Sequence, residues 1–253
     1  MVDKLIEMLG IPVRAILNNK IAKKTFYEQG GFNKNEVSMF VDEVESIRLV
    51  GVLNSDSTSI QRHVTEEYNY TDVAIIYVEL KGKARYQSVA RIIQQSIPYP
   101  VLVVLGYEGS IIFNAALKRN NLVEANKIVI DELCFSHWVN ISDCKDIDGQ
   151  FLEQVAVSTL PFDNLYKFYV ELYNRIYLTK LIDLLSFYPS NTGNLEVVKM
   201  LIRQITGLIQ EIEGLKKQHD REKNFAKRMN IFTNYKELEG KLESLRKNLK
   251  EVC

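Results

Sequence analysis

A glutamate and a lysine two residues apart stand at the end of the most strand-like segment of this sequence. The segment reads Val-Ala-Ile-Ile-Tyr-Val-Glu-Leu-Lys over residues 73–81, so the pair is Glu79 and Lys81. Its β-branched residues are typical of a strand. Metal-dependent phosphodiester cleavage needs two carboxylates that hold a divalent cation, and a lysine near the attacked phosphate is suited to the same chemistry. Glu79 and Lys81 are therefore candidate catalytic residues.

A second carboxylate would have to come from another element. Asp72 has the wrong phase, because odd-numbered residues from 73 to 81 share one face of a regular strand. Three acids of the helix predicted over residues 34–47 can reach the strand end, namely Asp42, Glu43 and Glu45, and Glu43 is taken as the candidate catalytic residue. This constellation predicts a Mg-dependent nuclease of the restriction type as one alternative. The other interpretation is a charged pair at the solvent side of a strand end.

The charge of the chain is balanced in sum and uneven in position. The 253 residues include 32 Lys and Arg and 32 Asp and Glu, which argues against a protein that coats nucleic acid by net charge. Residues 199–250, however, hold thirteen basic and seven acidic residues. A local phosphate-binding surface is a second alternative, and its candidate nucleic-acid-binding residues are Lys20, Lys23, Lys24, Lys227 and Arg228.

Composition and motifs exclude several classes of protein. No apolar run approaches the ~18–20 residues of a membrane-spanning helix, and the N-terminus lacks the pattern of a signal peptide. Three cysteines without a Cys-x-x-Cys pair disfavour a disulfide framework or a zinc site. No Gly-rich phosphate loop or dinucleotide fingerprint is present. We therefore expect a cytoplasmic protein without membrane contact, metal or cofactor.

The first part of the chain alternates between strand and helix patterns. Capping signals at Asn33 and Glu36 precede the helix over residues 34–47. Four further segments are predicted strands, residues 48–53, 73–81, 101–107 and 110–117, and residues 86–97 are a predicted helix between the second and third of them. A mixed α/β domain with a small sheet is thus predicted for residues 1–160. Residues 161–253 are predicted to form a helical domain, and the fold class is α+β.

Two runs of aliphatic residues repeat at alternating spacings of four and three. One run contains Ile202, Ile205, Ile209 and Ile212, and the other Leu238, Leu242 and Leu245. One unbroken heptad register does not fit both runs, so a helical hairpin or a stutter must lie between residues 220 and 235. We favour a coiled-coil-like hairpin. Its aliphatic residues are candidates for binding a partner.

Three segments together resemble a known family. They are residues 20–28, residues 73–80 followed by 97–105, and residues 222–230 followed by 236–245. Their order is similar to a prokaryotic domain of unknown function family, number 4391, although Ala22 stands where a proline is usual. The resemblance implies little chemistry. It implies a setting in phage defence, because members are commonly encoded beside helicases and DNA methyltransferases.

These observations predict a non-catalytic accessory or adaptor subunit of a prokaryotic defence or DNA-processing system. It would act through contacts with other protein subunits, a helicase or methyltransferase among them, or through self-association, and through contacts with DNA. The nuclease and the nucleic-acid-binding module remain the alternatives.

Overall fold

The chain folds into two compact units, Met1–Thr179 and Lys180–Cys253. The structure is a computed structural model that describes residues 1–28, 31–121, 124, 128–144, 146–185, 187–189 and 195–253. The first unit contains a mixed sheet with helices on both faces, and the second contains helices. The predicted α+β class, with a sheet in the N-terminal part, is confirmed.

The described part of the first unit contains nine strands. They are β1 (Ile16–Ile21), β2 (Val44–Asn54), β3 (His63–Val64), β4 (Asn69–Tyr70), β5 (Asp72–Leu80), β6 (Val101–Tyr107), β7 (Ser110–Asn120), β8 (Ile128–Phe135) and β9 (Val139–Asn140). The main sheet has the order β1-β2-β5-β6-β7-β8, with β9 paired to β7. In this sheet β5 and β6 are parallel, and the other pairs are antiparallel.

Helices connect and flank these strands. They are α1 (Val2–Leu9), α2 (Lys24–Tyr27), α3 (Lys34–Glu43), α4 (Ser55–Thr58), α5 (Tyr86–Ser96), α6 (Asp146–Gln154), α7 (Leu165–Leu178), α8 (Lys180–Leu185), α9 (Leu195–Arg221) and α10 (Phe225–Val252). Helix α5 is the crossover that a parallel strand pair requires. Within the described ranges, none of the helices combines the length and the apolar content needed to cross a membrane.

Alternate residues of β5 face opposite sides of the sheet. Those on one side are buried with apolar residues of α2, α3 and α5, namely Ala74, Ile76, Val78 and Leu80. On the other side, Phe151 of α6 packs edge-on against Phe113 of β7 with ring centroids 5.4 Å apart. The phase assigned from the sequence therefore holds, and Glu79 belongs to the side opposite α5.

The first helix after residue 160 packs against the sheet of the first unit. Helix α7 contacts β7 and β8. The hydroxyl of its Tyr169, which is fully buried, accepts a hydrogen bond from the Ala116 N–H (3.1 Å) and donates one to the Val101 carbonyl (2.8 Å). The sequence placed a boundary after residue 160, whereas the first compact unit extends to Thr179. A helical pattern in the sequence predicts that a helix forms, but it does not show which other elements the helix packs against.

Replacing this tyrosine should weaken the first unit. Tyr169→Phe leaves the Ala116 N–H buried without an acceptor, so we expect the free energy of unfolding to fall by about 1–2 kcal/mol. Urea unfolding followed by the fluorescence of Trp138, the one tryptophan of the chain, measures this loss. Tyr99→Phe is the control, since Tyr99 is 37% exposed. Equal midpoints for the two variants would contradict the assignment.

The helix predicted over residues 34–47 is shorter than expected. Its beginning is confirmed, because Asn33 and Glu36 form the predicted capping box. It ends at Glu43, and Val44 starts β2 by pairing with Leu80 of β5. Apolar residues in this stretch fit a helix face or a strand, and pairing with a buried neighbouring strand decides between the two.

In the second unit, α9 and α10 pack against each other as a hairpin. The three residues 222–224 connect them. This confirms the hairpin and excludes the stutter. Residues 189–193 read Pro-Ser-Asn-Thr-Gly, a sequence that predicts a linker, and most of them lie outside the described residues.

Candidate functional site

The predicted catalytic residues lie at the carboxyl end of β5. We name Lys23, Glu43, Glu79, Lys81 and Arg85 the strand-end cluster. Antiparallel pairing of β2 with β5 brings the end of α3 to this point, and the Lys81 N–H donates a hydrogen bond to the Glu43 carbonyl (2.8 Å). The fold thus brings Glu43 beside the Glu-x-Lys segment through backbone contact.

The two carboxylates of the strand-end cluster have different partners. Half-buried Glu79 accepts a hydrogen bond from the Tyr77 hydroxyl. Burial, followed by this contact, raises the pKa of Tyr77. Glu43 Oε1 lies 4.0 Å from Nε of Arg85. In the described ranges, no three His, Cys, Asp or Glu side chains are arranged to hold a metal ion.

Lys23 stabilises a helix end. Its ammonium group donates hydrogen bonds to the carbonyls of Val41 (2.9 Å) and Val44 at the C-terminus of α3, where a positive charge is favourable. Burial, followed by the nearby charge of Lys81, lowers the pKa of Lys23. Of the other two lysines predicted to bind nucleic acid in this region, Lys20 lies exposed on β1 and Lys24 exposed on α2.

A second candidate surface is the closed end of the helical hairpin, residues 216–236, which we name the hairpin end. Its turn is fixed by side chains: Asn224 caps α10 by accepting a hydrogen bond from the Lys227 N–H (3.1 Å). Glu222 accepts one from the Asn224 N–H (2.8 Å). Asn is among the best N-cap residues, so the start of α10 is locally encoded.

Aromatic packing and one carboxylate join the two helices near this turn. Tyr235 of α10 is buried, and its ring centroid lies 5.8 Å from that of His219 on α9 and 5.2 Å from that of Phe232. Glu239 pairs with Lys216 of α9 (2.7 Å) and Lys236 of its own helix (2.8 Å). The contact with Lys216 has the larger effect and that with Lys236 the smaller, and both lower the pKa of Glu239.

The hairpin end carries an excess of unpaired positive charge. It contains seven Lys and Arg against Asp220 and Glu222. Glu222 caps the turn, and Asp220 lies 3.2 Å from Nδ1 of His219. Within the described residues, five exposed cations form no side-chain ion pair, namely Lys217, Arg221, Lys223, Lys227 and Arg228. The predicted pair Lys227 and Arg228 is thus part of a larger cationic surface.

Large apolar side chains are exposed among these cations. Phe225 is 77% exposed, Met229 46% and Phe232 37%. The spacing of four and three puts them on one stripe of α10, about 100° around the helix from the buried face with Tyr235 and Leu242. Sequence reasoning missed this stripe. Its spacing was a signal, but the same spacing marks buried stripes.

The aliphatic residues proposed to bind a partner are largely used inside the structure. Ile202, Ile205, Ile212 and Leu242 are buried, and Ile209, Leu238 and Leu245 are half-buried. The packing of α9 on α10 accounts for the alternating spacing. Most of the surface of these aliphatic residues is therefore covered within the hairpin itself.

Comparison with known proteins agrees with the resemblance found in the sequence. Neither a curated protein nor a solved structure matches the chain. The sequence profile of one family matches residues 9–242, which is most of the chain. The chain therefore belongs to the family described as Domain of unknown function (DUF4391).

Proposed function

We infer that this protein is a non-catalytic accessory subunit of a prokaryotic defence or DNA-processing system, and that the hairpin end is its binding element. One observation carries the inference. Phe225 is 77% exposed beside five cations without ion pairs in the described structure. Exposed apolar side chains grouped on a charged surface mark an interaction site.

The strand-end cluster supports catalysis less well than the hairpin end supports binding. Glu79 is engaged by Tyr77, Glu43 lies near Arg85, and Lys23 is bound to backbone carbonyls. A metal-dependent nuclease would need free carboxylates that converge on one point. The hairpin end instead presents groups whose charges are not used within the described structure. This contrast favours binding over turnover.

The proposal predicts which part of the molecule is essential in cells. The chain is expressed in a host that lacks it, together with the helicase and methyltransferase genes expected beside it, and plating of phage is counted. The variant Phe225→Ala, Lys227→Glu, Arg228→Glu should lose protection by at least about tenfold, because losing a binding hot spot costs more than 1 kcal/mol.

The matched comparison is Glu79→Gln with Lys81→Met in the strand-end cluster. A binding subunit keeps its protection in this variant, and a nuclease loses it. Loss of protection in the strand-end variant, with the hairpin-end variant unaffected, would contradict the proposal.

A further inference from the structure

We propose that the hairpin end binds single-stranded nucleic acid, with phosphates on its cations and bases stacked on its exposed phenylalanines. This inference rests on the proposed function and names its partner. Both kinds of group that such binding requires, cations and exposed aromatic faces, lie within residues 216–236.

The cations are free to meet phosphates. Each acid of the hairpin end already has a neighbour: Glu222 accepts a hydrogen bond from the Asn224 N–H, and Asp220 lies beside His219. Glu239, just beyond the hairpin end, forms ion pairs with both Lys216 and Lys236. The seven cations of the hairpin end outnumber its two acids by five, and five of the cations form no side-chain ion pair in the described structure. A nucleic acid would therefore release counterions when its phosphates bind these cations.

One phenylalanine of the stripe stands apart from the packing that holds the hairpin together. Phe225 is the first residue of α10 and exposes 77% of its surface, whereas Tyr235 supplies the buried contact with α9. Phe232 lies at the edge of that packing, with its ring centroid 6.2 Å from that of His219 and 5.2 Å from that of Tyr235. Phe225 and Phe232 are seven residues apart, about 10 Å along the helix axis. Because every base has a π-face, one base can stack on the ring of Phe225. A second base can contact the exposed part of Phe232, where Nζ of Lys236 lies 5.8 Å from the ring centroid.

The composition of the stripe favours this partner over a membrane surface. A helix that lies in a bilayer interface needs a broad apolar face. Here the exposed apolar stripe consists of Phe225, Met229 and Phe232, with Arg228 beside it and Lys236 continuing it. Paired bases would be unavailable for stacking, so a single strand fits better than a duplex.

The test uses the full chain and a fluorescein-labelled oligothymidylate of about 15 nucleotides, with binding followed by anisotropy. We expect binding at about 50 mM salt that weakens steeply towards about 200 mM. Phe225→Ala should weaken binding by about tenfold, because loss of one stacked base has an effect of this order. Lys227→Gln with Arg228→Gln should weaken it further and reduce the salt slope by about 1.4.

Matched controls separate the surface from general charge and hydrophobicity. Lys241→Gln with Lys247→Gln removes two exposed cations of the same helix outside the hairpin end, and Phe162→Ala removes a 51% exposed ring of the first unit. Both should bind as the parent chain does. Absent binding, or equal losses in the control and hairpin-end variants, would overturn the inference. The inference would also be overturned if a duplex bound with the same affinity as the single strand and Phe225→Ala did not change that affinity.

The cellular test separates this inference from the proposed function. If the oligonucleotide does not bind while the hairpin-end variant still loses protection, the inference is wrong, the proposed function stands, and an acidic protein surface is the occupant. If the hairpin-end variant keeps full protection, the proposed function itself is wrong.

Discussion

Raising the pH from about 7 to about 9 should stabilise the first unit by about 2 kcal/mol through a single buried lysine, Lys118. This side chain of β7 is 3% exposed. Its ammonium group donates hydrogen bonds to the carbonyls of Ile97 (2.9 Å) and Tyr99 (3.1 Å). Burial lowers the pKa of Lys118 to about 7, since a charge is costly away from water.

The sign of this pH dependence is set by the number of protons that Lys118 binds in the folded and unfolded states. In the unfolded chain the lysine has its ordinary pKa of 10.5. Between the two values the unfolded chain holds a proton that the folded chain has released. Stability therefore rises with pH in this window. Below pH 7 both states are protonated, and the folded state carries the full cost of the buried charge.

Urea unfolding followed by Trp138 fluorescence measures the effect at both pH values. Lys118→Met removes the titrating group and should flatten the pH dependence. Lys241→Met, which changes an exposed lysine, should leave it as in the parent chain. Parallel pH profiles for the parent and Lys118→Met would show that the buried amine does not titrate as stated.

Gly106→Ala should destabilise the first unit by about 2–3 kcal/mol and break the hydrogen bond between Tyr77 and Glu79. Gly106 on β6 pairs with Glu79 of β5. The ring of Tyr77 lies over the glycine, so a Cβ there would stand 2.1 Å from its hydroxyl oxygen and 2.8 Å from Cζ. The buried ring would have to move to relieve this overlap.

A double-mutant cycle isolates this contact. In the Tyr77→Leu background the ring is gone, and Gly106→Ala should cost less than about 1 kcal/mol. Gly149→Ala is the control, because nothing within 4 Å meets a Cβ at that helical position. Additive effects of the two changes, again measured by Trp138 fluorescence, would mean that Tyr77 does not lie over Gly106 as described.

Predictions from periodicity were accurate where local signals and the tertiary fold agree. The strand predicted for residues 73–81 is Asp72–Leu80, and the helix predicted for residues 86–97 is Tyr86–Ser96. The capping box at Asn33 was also confirmed, since its atoms lie within one turn. The predicted end of the same helix was wrong by several residues, because Val44 pairs with Leu80 of β5, a strand distant in sequence.

The candidate sites show the same division. The sequence identified Lys23 as a phosphate-binding candidate by its charge, yet the fold places its ammonium group on two backbone carbonyls. The aliphatic spacing predicted that Ile202 and Leu242 bind a partner, and both side chains are buried within the structure. Lys227 and Arg228 are exposed as expected, but the sequence did not predict that Phe225 beside them is exposed. Residue type does not report solvent exposure.

By itself the sequence determined the α+β class, the order of the central elements and the family, and it favoured the helical hairpin over a stutter, because each depends on periodicity, capping or local spacing. Tertiary structure alone decided that Lys118 is buried, that Tyr77 covers Gly106 and that Phe225 stays exposed. Those properties depend on which distant segments approach a side chain. Long-range packing sets them, and no local pattern encodes it.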